Sequence, residues 1–229
     1  MNEKLLDDIE LNFDIISLLK QFSITSNSAE AKKMKKITKE ASKLAKPKGL
    51  YKTSFIKEKG EDYIILEEKK LKSQILRDNL DSAEKVYPYI VTCGRELEKW
   101  SKQFKDNILI NYYVDVLKSK ALNIARKKLK KDIKNNKFQG EISKMNPGSL
   151  PNWPINEQRK LFDLFNDVER KVDVKLNENY LMYPVKSASG LWFPSEVKFE
   201  NCQLCPKKDC PNRKTNFDKD KYHSYAKSE

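Results

Sequence analysis

Lys85-Val-Tyr-Pro-Tyr-Ile-Val-Thr-Cys-Gly94 is the stretch on which the reading of this fold turns. Val86, Tyr87, Tyr89, Ile90 and Val91 are β-branched or aromatic, and the run lacks the polar alternation of a half-exposed strand. It predicts a buried strand that ends at Cys93-Gly94. Downstream, a helix is expected from about Arg95 to Phe104 and a longer one from about Asp106 to Ile133. Ile110, Tyr113, Val114, Leu117, Ala121 and Ile124 fall on one face of the longer helix. Upstream, Leu71 to Leu80 reads as a short helix. Leu50 to Ile56 and Tyr63 to Leu66 flank Lys59-Gly60-Glu61-Asp62 as the arms of a hairpin.

Farther out, Leu5, Ile9, Phe13, Ile16 and Leu19 recur every three to four residues, which predicts an amphipathic helix from Met1 to about Lys20. A second helix, Ser28 to Ala45, should stop before Pro47 and Gly49. Residues 134 to 154, with Gly140, Pro147, Gly148, Pro151 and Pro154, read as a structured loop. Asn156 to Val172 reads as one helix. Tyr180 to Pro184 and Leu191 to Phe193 read as strands around a turn at Ser187-Ala188-Ser189-Gly190. Beyond Pro194 the chain is polar and cysteine-bearing, and 212 to 229 is expected to be partly disordered.

The 229 residues suffice for one main domain with appendages, and ten Phe and ten Tyr supply packing mass although 34% of residues are charged. No apolar run approaches the roughly 20 residues that span a bilayer. Acidic residues stand where a signal peptide would be basic and then apolar, so the chain is expected to be cytoplasmic. The net charge of +13, densest in Arg126 to Lys131, could attract an acidic protein, an acidic membrane surface or nucleic acid. It is equally what a lysine-rich composition leaves on any surface. Aromatics and basic residues interleave too diffusely to favour nucleic acid.

In a reducing compartment, four cysteines are expected as thiols or metal ligands. Cys202-Gln-Leu-Cys205-Pro-Lys-Lys-Asp-Cys210-Pro211 places three thiols within one turn's reach. That spacing suits an iron-sulfur cluster, most simply 4Fe-4S, with zinc or unmetallated thiols as the alternatives. Cys93 is the candidate fourth ligand, against its reading as a buried small apolar residue. His223, the single histidine, reads as a solvated tail residue, which removes Ser-His-Asp and Cys-His hydrolases from consideration. There is no glycine-rich phosphate loop of the Walker or Rossmann kind. Glu157, Asp163, Asp167 and Glu169 read as a solvated helical face. Trp100, Trp153 and Trp192 could stack on a planar cofactor or simply fill the core.

Taken together, Met145-Asn-Pro-Gly-Ser-Leu-Pro-Asn-Trp-Pro-Ile-Asn-Glu-Gln158, Leu161 to Val168, Lys175 to Pro184, Ser187-Ala-Ser-Gly-Leu-Trp-Phe193 and Tyr89-Ile-Val-Thr-Cys-Gly94 carry a resemblance. The chain resembles the activation (reactivation) domain of cobalamin-dependent methionine synthase, in its stand-alone form with a C-terminal cysteine cluster. The resemblance implies an α/β (α+β) fold with a twisted, mainly antiparallel sheet packed by helices. It divides the chain into an N-terminal helical segment (1–48), the activation-like domain (49–195) and a cysteine-rich metal-binding tail (196–229).

The resemblance also implies a cofactor groove formed by Lys144, Gly148, Trp153, Ser189, Gly190 and Trp192, with S-adenosylmethionine as its ligand. In that family the ligand methylates a reduced corrinoid. Where the family's loop begins with arginine and carries a Gly-Tyr pair, this chain has Lys144 and Gly148-Ser149. An acidic residue of the family's long helix falls near Lys127. S-adenosylmethionine binding and a purely electron-relaying role therefore both stay open. The function expected is reactivation of a corrinoid protein or cobalamin-dependent methyltransferase by reducing Co(II) through a cluster on Cys202, Cys205, Cys210 and Cys93. An acidic electron carrier would be a second partner, and no membrane is expected to be involved. The alternative is a non-catalytic, zinc-stapled module that binds a corrinoid protein or metabolite.

Overall fold

The computed structural model describes residues 3–150, 152–195, 199–210 and 213–226. The chain begins β1 (Lys4–Leu6), α1 (Ile15–Gln21), α2 (Ala29–Leu44), β2 (Lys48–Tyr51), β3 (Ser54–Lys59), β4 (Tyr63–Leu66) and β5 (Lys69–Lys72). It continues α3 (Gln74–Asn79), β6 (Lys85–Thr92), α4 (Arg95–Ser101), α5 (Ile108–Asn136), β7 (Ile142–Met145), α6 (Gln158–Phe162) and α7 (Val168–Val172). Last come β8 (Lys175–Leu176), β9 (Met182–Tyr183), β10 (Ser187–Pro194) and α8 (Lys219–Ala226). The architecture is mixed α/β, with an eight-stranded antiparallel sheet in the order β1-β2-β6-β3-β4-β5. β10 pairs with β6 and carries β7 on its far side.

Alternation along β6 divides the interior in two. Tyr87, Tyr89 and Val91, with Cys93 just beyond, point into a core made with α1, α2, α4 and α5. Val86 and Ile90 point into a second core with α3, α6 and α7. Covered on both faces, the strand has no solvent side to make polar, which is why its sequence is a continuous apolar run. α5 lies across the first core through Ile110, Tyr113, Val114, Leu117, Ala121, Ala125, Leu129 and Ile133, at helical spacing. Its first turn is capped by the Asn107 side chain, which accepts from the Ile110 amide at 3.0 Å.

β2 and β3 share one edge of β6 end to end, separated at Lys52-Thr53. The expected single strand from Leu50 to Ile56 is therefore two. A residue's N–H and C=O point to the same side of a strand, and the Pro88 carbonyl accepts from the Lys52 amide at 3.2 Å. The donor that proline lacks falls opposite this break, where no ladder bond is lost. Lys52, 2% exposed, bonds the Leu164 carbonyl and pairs with Glu67 at 2.6 Å.

Other expectations are corrected. The N-terminal helix covers only 15–21, because Asp14 accepts from the Ser17 amide and starts it there, while Lys4–Leu6 pairs with β2; Met1 lies outside the described residues. Leu71 belongs to β5, and α3 begins after Ser73, whose hydroxyl caps the Leu76 amide. The loop expected over 134–154 contains the end of α5 and all of β7; Pro151 lies outside the described residues. The helix expected over 156–172 is broken, because Asp167 takes a left-handed conformation (φ 50°) and caps α7 anew. Glu157, expected on a solvated face, is buried and accepts from the Lys72 amide at 3.1 Å. Ser187-Ala-Ser-Gly190 is not a turn but the first half of β10, paired residue by residue with Thr92 to Tyr89. The tail folds into α8; Pro211, Asn212 and 227–229 lie outside the described residues.

Candidate functional site

β10 sits between β6 and β7, and the site forms where β7 ends against it. Gly190 allows this approach: a Cβ there would strike the Met145 carbonyl and come within 2.5 Å of the Asn146 amide nitrogen. Asn146 then ties three elements together. Its Nδ2 donates to the Tyr89 hydroxyl at 2.6 Å and to the Ser189 carbonyl at 2.5 Å, and its Oδ1 accepts from Lys144 Nζ at 3.1 Å. The chain next turns at Gly148 (φ 74°), whose amide donates to the Trp153 carbonyl at 2.8 Å. A Cβ at Gly148 would press on Ile155 at 2.8 Å. Opposite the turn, Ser189 Oγ donates to Gln158 Oε1 at 3.0 Å, and Gln158 Nε2 donates to the Tyr180 carbonyl at 2.8 Å.

Together these groups wall a cavity of about 730 Å³. The 146–150 turn, Gln158, Met182 and Ser187–Ser189 form one side, and Cys202, Leu204, Cys205 and Tyr222 form the other. A second cavity of about 500 Å³ adjoins it, lined by α5, Ile142–Lys144, Trp192 and the segment from Phe199 to Cys202. Arg126, Lys144, Asn201 and Cys202 border both cavities. Lys144 stands opposite Trp192 in the β7–β10 ladder, so the two share one face of the sheet. Burial, then the charges of Arg126 and Lys214, lower the Lys144 ammonium pKa to about 8.

Of the six residues expected to form a cofactor groove, Lys144, Gly148 and Ser189 line the larger cavity, and Trp192 lines the smaller one at 4% exposure. Gly190 acts through spacing, as above. Trp153 is 0% exposed in the second core and lines neither cavity. Asn146, Gln158 and Arg126 were not singled out from sequence. The only signals were the Asn-Pro-Gly turn around Asn146 and the position of Arg126 at the head of the basic run.

The cysteines lie in two places, with Cys93 just after β6 and Cys202, Cys205 and Cys210 after β10. All four are free thiols, and among the described residues no three His, Cys, Asp or Glu side chains converge as a ligand set. Cys93 is 0% exposed in the first core and borders neither cavity. Burial, with the negative charge of Glu98 adding to it, pushes its thiol up to about 12. The backbone around the other three wraps Arg213. Its guanidinium donates to the carbonyls of Cys202 and Cys205, each at 3.1 Å, and of Lys207, and its amide donates to the Cys210 carbonyl at 3.0 Å. Arg213 stands three residues past Cys210 and was not singled out from sequence. His223 is exposed on α8, with its ring against Tyr222.

The solved structure "Crystal Structure of the MetH Reactivation Domain bound to AdoHcy" matches with a TM-score of 0.62 at 14% identity, over 87% of this chain and 81% of that one. The fold is that of the MetH reactivation domain. No family model matches the chain, and no curated protein matches it in sequence. On this fold, the turn after β7 and strand β10 are the parts that build the larger cavity. Among the described residues, no helix is long and apolar enough to cross a membrane.

Proposed function

We propose that the chain is a corrinoid-protein reactivation module that holds an S-adenosyl ligand in the cavity between the 146–150 turn and β10. The observation that carries this reading is the coincidence of the reactivation-domain fold, solved elsewhere with AdoHcy bound, with a cavity of about 730 Å³ at that turn. Such a volume falls in the range of roughly 300–1,000 Å³ usual for small-ligand sites.

The residues present fit the ligand. Gly148 lets backbone approach closely, and Gln158 and Ser189 fix each other by a hydrogen bond at the wall. Lys144 and Arg126 at the border offer positive charge to a carboxylate. Bound there, S-adenosylmethionine would supply a methyl group. The protein's part is to orient it, through the Asn146 bridge that locks the turn to β10, and to present it beside a basic surface. Opposite charge on a corrinoid partner would speed encounter with a chain of net charge +13. The electron relay through Cys202, Cys205, Cys210 and Cys93 is not part of this reading, which rests on the fold and the larger cavity alone.

Calorimetric titration with S-adenosylmethionine and with AdoHcy tests the proposal. Binding should weaken at least ~10-fold, about 1.4 kcal/mol, in Gly148→Val, which strains the turn and crowds Ile155, and in Asn146→Ala, which unlocks it. A protein that binds neither ligand below ~1 mM, about 4 kcal/mol of affinity, would rule the reading out.

A further inference from the structure

The cysteines after β10 have no part in that reading, but the structure holds two of them as a pair. Cys202 and Cys205 are the ends of one tight turn, closed by the Cys205 amide donating to the Cys202 carbonyl at 3.4 Å. One guanidinium then binds both residues: Arg213 Nη1 donates to the Cys202 carbonyl and Nη2 to the Cys205 carbonyl, each at 3.1 Å. A planar fork fixes its two acceptors side by side. Both cysteines are therefore held through their backbones, and their side chains are free thiols.

The turn sets the span between them. Residues at the two ends of such a turn lie within about 7 Å, Cα to Cα, and a disulfide needs roughly 4.4–6.8 Å, so the pair can close without opening the backbone. Access is the second requirement. Both cysteines are half-buried and both line the cavity of about 730 Å³, through which a small disulfide can reach them. The other two cysteines differ. Cys93 is 0% exposed, and Cys210, although half-buried, lines neither cavity and lies outside the turn.

We propose that Cys202 and Cys205 form a redox-active dithiol site that exchanges with low-molecular-weight disulfides. The thiolate of one cysteine attacks a sulfur of the small disulfide, whose S–S bond breaks; a mixed disulfide forms and one small thiolate leaves. The thiolate of the other cysteine attacks the protein sulfur of the mixed disulfide, closes the Cys202–Cys205 bond and expels the second small thiolate. The two cysteine sulfurs give up two electrons in total, the small disulfide gains them, and the two thiol protons pass to the departing thiolates. The exchange does not depend on the S-adenosyl reading; that a ligand in the cavity shields the pair rests on it.

Oxidised glutathione is the probe. Trypsin cuts after Lys198 and Lys207, so Cys202 and Cys205 fall on one peptide and Cys210 on another. After exposure to the probe, the peptide 199–207 should be lighter by two hydrogens and closed to alkylation, and reduced glutathione should reopen it. Cys202→Ser and Cys205→Ser each remove the second attack, so the mixed disulfide with glutathione should accumulate on the remaining cysteine, while Cys210→Ser still closes the pair. AdoHcy at about ten times its Kd should slow closure ~10-fold, as the free fraction falls to about a tenth. If AdoHcy does not bind, the S-adenosyl reading falls and the peptide map still decides this one. AdoHcy that binds without slowing closure would overturn the placement of the pair at that cavity. No disulfide in 199–207, a bond to Cys210 in its place, or a stoichiometric metal that protects all three thiols from glutathione would overturn the proposal.

Discussion

Gly94 shows how much one residue without a side chain can decide. It closes β6 at φ 98° and opens α4, and a Cβ there would stand 2.5 Å from the Lys46 carbonyl oxygen and 3.0 Å from the Lys46 amide. Both the dihedral and the contact forbid alanine, and the contact is to backbone that cannot swing away. Gly94→Ala should destabilise the protein by about 2–3 kcal/mol, read from the urea midpoint at unchanged slope. A loss below ~0.5 kcal/mol, the noise of a neutral surface change, would show that the α2–β2 connection yields. The sequence showed that a strand ends at this glycine, since Cys93-Gly94 closes an apolar run. It could not show that residue 46 passes over it, because that contact joins segments the chain itself keeps apart. Cys93 is a similar case: its spacing to the other cysteines is silent on its place in the first core, where it is 0% exposed.

At the scale of elements, the break between α6 and α7 is the most testable local feature. Asp167 sits at φ 50°, and its carboxylate accepts from the Arg170 amide at 3.2 Å. Two effects can be separated there. Asp167→Ala loses the cap and places a Cβ-bearing residue without side-chain compensation in left-handed space, at a cost of about 1–2 kcal/mol. Asp167→Gly loses the cap but relaxes the backbone, so it should cost about half as much. Thermal melts in which glycine proves the worse substitution would show that the strain is not real. The same break explains which elements could be read beforehand. β6, α2 and α5 were legible because burial imposes an unbroken period on them. The run 156–172 keeps helical spacing in its apolar residues across a left-handed aspartate, so periodicity alone joins what Asn166-Asp167 separates. β10 was half hidden because its first half, Ser187 to Gly190, is made of small residues that mimic a turn, of which Gly190 is required by the close approach of the Met145 carbonyl and Asn146. The fold was therefore legible where packing is regular. The site was not, because it is built from the irregular ends of regular elements.

On the scale of the whole molecule, a chain carrying net charge +13 concentrates part of its excess at the border of two cavities, and stability should record it. The Lys144 ammonium, ordinarily near 10.5, is lowered to about 8 by burial and by Arg126 and Lys214. Below about pH 8 both folded and unfolded chains hold this proton, and the folded state bears the full cost of the charge. Between about 8 and 10.5 the unfolded chain binds more proton than the folded one, so stability rises with pH. Cys93 acts with the opposite sign: its thiol, raised from 9.0 to about 12, contributes stability that is complete below 9 and is lost as pH climbs to 12. The wild-type curve mixes the two, whereas a difference from Lys144→Met isolates the lysine. Methionine also removes the donor to Asn146 Oδ1, but that loss does not depend on pH. Urea unfolding should therefore show Lys144→Met gaining on wild type at about pH 7 and giving back on the order of 1–2 kcal/mol of that difference by about pH 10. A difference that stays flat across this range would mean the charge is not confined as the structure has it.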